Sequence, residues 1–141
     1  MSYKFPSVKL NKQGLFGPTQ RKHYYKPVTY HNKSANNNLH KTKWVLKQNE
    51  QYEAFRVSDE AVWHCDKNCG LFSILNKGEV IQGSNDERLS FFPTPNNSID
   101  AWHGYPVDTS QYEPSTELVD RWFEEAIIDE RIRIKILKAQ L

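Results

Sequence analysis

The chain has 141 residues, of which 38% are hydrophobic and 26% charged, with a net charge of +2, a composition that fits one globular domain. No window approaches the apolar length that crosses a bilayer, and the first thirty residues lack the apolar core of a secretory signal, so a cytoplasmic protein without a membrane partner is expected. Two cysteines four residues apart, Cys65 and Cys69, are too few and too close for the disulfide framework of a small secreted domain, and reduced thiols are the expectation.

The first predicted element is an arm. Residues 1–43 hold nine cations (Lys4, Lys9, Lys12, Arg21, Lys22, Lys26, Lys33, Lys41, Lys43) and no carboxylate, whereas ten cations face seventeen carboxylates from Trp44 onward. The arm has neither helical nor strand periodicity, is punctuated by Pro6, Gly14, Gly17, Pro18 and Pro27, and ends near the polar run NKSANNN. Such a segment buries too little apolar surface to offset its ordering entropy alone, so it is expected to be flexible unless docked. The division that follows is an arm over 1–43 and an acidic domain over 44–141.

The domain reads first as short strands. EAFRVS alternates from Glu53 to Ser58, and AVWHC follows a turn-prone Ser58-Asp59. In LFSILNKGEVIQG, Asn76-Lys77-Gly78 reads as a hairpin connection whose glycine supplies a left-handed residue. A helix over 68–77, with Leu71, Ile74 and Leu75 at i, i+3 and i+4, is the rival. RLSFF, stopped by Pro93 and Pro95, is the last predicted strand.

Beyond an irregular stretch, Ser115 is a good N-cap for a helix whose Leu118, Val119, Trp122, Phe123, Ala126 and Ile127 form an apolar stripe. The tail alternates at Ile132, Ile134 and Ile136, yet Ile128, Ile132 and Ile136 share a helical face and Asp129 can cap it, so a second helix is preferred. The expected fold is α+β: a small antiparallel meander with a C-terminal helical hairpin, preceded by the extended basic arm. Trp63, Trp102 and Trp122 are expected to fill its core.

Three functions fit these residues. Lysines and arginines neutralise phosphates without needing a preformed pocket, and tyrosines add faces on which exposed bases stack. The leading expectation is therefore an RNA- or single-stranded-DNA-binding protein that needs no catalysis. Its contact residues would be Lys4, Lys9, Lys12, Arg21, Lys22, Tyr24, Tyr25, Lys26, Tyr30, Lys33, Lys41 and Lys43. The second is a small toxin-like enzyme, a ribonuclease in which His64 and His103 of the two Trp-His pairs serve as base and acid, with Arg56, Lys67 or Arg88 stabilising charge. The third is a structural subunit whose arm embraces an acidic protein, another copy included.

Zinc held by Cys65, Cys69, His64 and His103 is disfavoured, because His64 and Cys65 would point to opposite faces of a strand and no second cysteine pair exists. No metal or cofactor is expected. Finally, WHCDKNCGLFSILNKGEVIQGS resembles the opening of ADP-ribosyltransferase-like folds, where a strand bearing a histidine leads into a short helix. That resemblance implies that His64 faces a nicotinamide ribose and that Ser84 belongs to the next strand. The usual small residue after the histidine and a catalytic glutamate on a late strand are missing.

Overall fold

The computed structural model describes residues 3–27 and 43–141. Its elements are α1 (Gln48–Glu60), β1 (His64–Cys65), β2 (Gly70–Ile74), β3 (Leu89–Pro93), β4 (Tyr105–Val107), α2 (Thr116–Glu124) and α3 (Glu130–Leu137). The four strands form one antiparallel sheet in the order β1-β2-β3-β4, with Leu71 opposite Phe92 and Ser90 opposite Pro106. This is the expected α+β meander with two C-terminal helices. Among the described residues no helix is long and apolar enough to cross a membrane.

Both faces of the sheet are covered. Phe72, Ile74, Leu89, Phe91 and Val107 pack on one face against Leu118, Val119 and Trp122 of α2 and Ile132 and Ile136 of α3. On the other face, Leu71, Leu75 and Phe92 pack with Tyr52 and Phe55 of α1, Trp44, Trp102, and Phe16 and Tyr25 of the basic segment. Strand side chains alternate between faces, so a strand covered on both sides loses the apolar-polar alternation of a half-exposed one. That is why β2 reads GLFSI and is buried throughout.

The last two helices form for the local reasons their sequence advertises. Ser115 accepts from Leu118 N and Asp129 from Ile132 N, each satisfying an amide that the first turn leaves without a partner. In α2 the stripe is narrower than expected: Leu118, Val119 and Trp122 are buried, while Phe123 and Ala126 are exposed.

Other expectations are corrected. EAFRVS is not a strand; it is the middle of α1, whose N-terminus is fixed by Glu50 Oε1 accepting from Lys47 N at 2.8 Å. The helical period is carried by buried polar residues, Gln51, Glu53, Ser58 and Asp59, beside Tyr52 and Phe55. AVWHC contributes only the two-residue β1. The Asn76-Lys77-Gly78 turn exists, with φ of 48°, 57° and 85°, but it does not return directly to β2. The segment after it, EVIQG, instead meets the residues around Trp44 through Val45 N to Gln82 O at 2.9 Å and Ser84 N to Lys43 O at 2.9 Å, and β2 takes β3 as its partner. The helical reading of 68–77 fails as well, since Gly70–Ile74 is strand and only a single 3-10 turn, Asn76–Gly78, follows it.

Candidate functional site

The described part of the basic segment lies against α1. Phe16 and Tyr25 exchange two backbone hydrogen bonds of 2.9 Å, and Tyr24 O and Lys26 N bond Trp102 N and O at 2.8 Å. Tyr25 is fully buried and donates through its hydroxyl to Gln51 Oε1 at 3.0 Å; burial pushes its pKa far above the ordinary tyrosine value. Its ring is part of the core and is not an exposed stacking face, which removes Tyr25 from the expected contact residues.

One carboxylate anchors the turn at residues 19–23. Asp59 is fully buried at the end of α1 and accepts from Thr19 Oγ1 at 2.6 Å and from Arg21 Nη1 at 3.2 Å, while His23 Nδ1 lies 2.9 Å away. A buried anion needs such partners, because its desolvation is costly unless hydrogen bonds replace water. Gln20 N adds a bond to Glu60 Oε2 at 2.9 Å, and Tyr3 Oη reaches Glu53 Oε2 at 3.3 Å.

Among these docking contacts the donors are mostly neutral. Lys4, Lys9, Lys12, Lys22 and Lys26 are exposed, and none of them enters an ion pair among the described residues. Tyr24 is partly exposed and Lys43 half-buried. Tyr30, Lys33 and Lys41 lie outside the described residues.

A cleft of about 300 Å³ opens between this turn, β1 and the loop that follows β3. Arg21 and His23 enter it from the basic segment and His64 from β1; Leu71 and Trp102 supply apolar wall, and Asn97 and Ser98 polar rim. Among the described residues no carboxylate lines it. The two imidazoles are held alike: His23 Nδ1 faces Asp59 Oδ1 at 2.9 Å and His64 Nδ1 faces Asp66 Oδ1 at 3.0 Å. A carboxylate on Nδ1 selects the tautomer that leaves Nε2 for another partner. The cleft thus combines an arginine, two oriented imidazoles and an aromatic wall, a set suited to an anion carrying a flat apolar group.

The backbone at the cleft wall is strained. Val62, a β-branched residue that lines the cleft, adopts φ of 55°; Arg121 holds it there by donating to Val62 O at 2.7 Å and to Ala61 O. Strain of this kind persists only where surrounding contacts over-determine the conformation.

The expected pairing of His64 with His103 is corrected. His103 does not line the cleft that holds His64. It is half-buried, its Nδ1 finds no hydrogen-bond partner among the described residues, and burial lowers its pKa. The histidine that shares the cleft with His64 is His23, to which the sequence alone assigns no role beyond the basic character of the arm. Arg56, Lys67 and Arg88 are engaged elsewhere, Arg56 with Glu53 and Glu60, Lys67 with Glu113, and Arg88 with Gly78 O. Among the described residues no group of three or more His, Cys, Asp or Glu converges to hold a metal; Cys65 is buried and Cys69 exposed. Ser84 sits in the turn between β2 and β3, not on a strand.

No protein-family model, no curated protein and no solved structure matches the chain.

Proposed function

We propose that the chain binds single-stranded nucleic acid, RNA or DNA, across the face formed by the basic segment and the cleft beside it. One observation carries the reading: the segment docks through Thr19, Gln20, Arg21, His23 and Tyr3, while five lysines remain exposed and outside any ion pair among the described residues. Cations that docking does not use are available to phosphates, and the release of condensed counterions supplies affinity that no protein contact replaces. The cleft suits one nucleotide of the strand, with a phosphate at Arg21 and the base against the apolar wall; base stacking contributes about 1–3 kcal/mol per base.

The test uses the full chain, because Phe16 and Tyr25 belong to the core and deletion of residues 1–43 would open it. Anisotropy of a labelled single strand is titrated over a salt series, with the wild type and with Lys4, Lys9, Lys12, Lys22 and Lys26 all changed to Gln. The logarithmic salt slope should fall by about 0.7 for each phosphate that is no longer neutralised. An unchanged slope and affinity in the quintuple variant would refute the reading.

A further inference from the structure

We infer that the cleft is a phosphodiester-transfer site for RNA, with the imidazoles of His23 and His64 as its acid–base pair. The inference rests on the nucleic-acid reading and adds a reaction to it. Both rings line the same cavity, each has its Nδ1 held by a carboxylate, and Arg21 lines the cavity while it binds the docking carboxylate. Among the described residues no carboxylate lines the cavity to repel a phosphate. Metal-free transfer at phosphorus requires this set: a base, an acid and a fixed cation.

The step balances without a co-reactant. His23 Nε2 takes the proton of a ribose 2′-hydroxyl, and the 2′-oxygen forms a bond to the adjacent phosphorus. The bond from phosphorus to the 5′-oxygen breaks, its electron pair goes to that oxygen, and His64 Nε2–H supplies the proton. The products are a 2′,3′-cyclic phosphate and a 5′-hydroxyl; proton exchange with water restores both rings. Arg21, 41% exposed at its side chain, is placed to meet the charge that gathers on the non-bridging oxygens. His23 is the base because its carboxylate is fully buried, whereas Asp66 behind His64 is fully exposed. A buried acceptor orients the imidazole and stabilises the imidazolium that forms.

Charged groups flank both imidazoles. His23 is faced by Asp59 and Arg21. His64 is faced by Asp66 and, in an adjoining hollow, by Lys67, Glu117 and Arg121.

The experiment incubates full-length protein in chelator with a labelled RNA strand and with its 2′-deoxy counterpart, and measures binding of the deoxy strand in parallel. RNA should be cut to cyclic-phosphate ends while the deoxy strand is bound and left intact. His64→Gln, at an exposed side chain, should slow cleavage by about 10²–10⁴-fold, a loss far larger than any it causes in deoxy-strand affinity, and His23→Asn should do the same where its melting curve matches the wild type. Deoxy-strand binding with intact RNA overturns the inference alone. Failure to bind either strand overturns the functional reading and this inference together. Cleavage that survives His64→Gln overturns the assignment.

Discussion

Asp59→Asn is the perturbation that probes the docking of the basic segment most directly. The substitution keeps the side-chain shape and removes the charge that Arg21 Nη1 meets at 3.2 Å, Thr19 Oγ1 at 2.6 Å and His23 Nδ1 at 2.9 Å. Hydrogen bonds to a charged group contribute about 1.5–3 kcal/mol each. They share one anion, so they do not sum; Arg21 is 41% exposed and can rehydrate once the charge is gone, so a total loss of about 3 kcal/mol is expected. Taking about 3 kcal/mol and an unfolding entropy near 2 cal/mol/K per residue, the midpoint of thermal unfolding should fall by about 10 °C. If the segment opens alone, hydrogen exchange at Tyr25 N and Lys26 N, which bond Phe16 O and Trp102 O, should accelerate up to about 10²-fold, since each 1.4 kcal/mol is a factor of ten. Calorimetry and exchange read by mass spectrometry measure the two. Glu60→Gln is the control: it weakens the exposed bond to Gln20 N and the i,i+4 pair with Arg56, and a loss of about 1 kcal/mol is expected. A change at Asp59 no larger than the control's, with protection of Tyr25 and Lys26 intact, would show that this carboxylate does not anchor the segment.

Two further outcomes follow from the core. Burial raises the pKa of Tyr25, and also of Tyr3 and Tyr52, above the ordinary value, so the folded chain keeps protons that the unfolded chain releases above about pH 10. Stability from these groups is whole below that pH and lost above it. In urea titrations at stepped alkaline pH, Tyr25→Phe should flatten the decline by about 1.4 kcal/mol per pH unit; an unaltered slope contradicts the burial. Val62→Gly should raise stability by about 0.5–1 kcal/mol, because the left-handed conformation costs a non-glycine residue about 1–2 kcal/mol and glycine nothing comparable. Val62 is 45% exposed, so little packing is sacrificed, and a lower melting temperature would refute the strain.

What is legible in the sequence is local. Ser115 and Asp129 cap helices within their own first turns, and RLSFF meets its stop at Pro93, so α2, α3 and β3 need no tertiary knowledge. In α1 the buried face is half polar, with Gln51 and Asp59 inside because the basic segment supplies their partners; an apolar period cannot show such a face. β2 is buried on both sides and carries no alternation to read. β4 hides behind Pro106, which has no amide to donate and suits an edge strand. The site divides in the same way. His64 is singled out by its own neighbours, but His23 acquires its role from Asp59, 36 residues later, and the count of cations that sets the arm apart gives no sign that a body carboxylate reaches into it.

The charge asymmetry invites the view that a basic arm is held on an acidic body by attraction. The contacts argue otherwise. Only Arg21 among the described lysines and arginines before residue 43 forms an ion pair with α1, with its own side chain 41% exposed and the Asp59 carboxylate fully buried. Burying an aromatic side chain contributes about 1.5–3 kcal/mol, and Phe16 and Tyr25 are both inside the core. Docking is therefore chiefly aromatic packing plus one hydrogen-bonded carboxylate, and it leaves the lysines hydrated at the surface. Their field is largely screened beyond about 8 Å at physiological salt, and the whole chain carries only +2. Attraction for a polyanion is then confined to the basic segment where the lysines stand, the same segment that sends Arg21 and His23 into the cleft with His64.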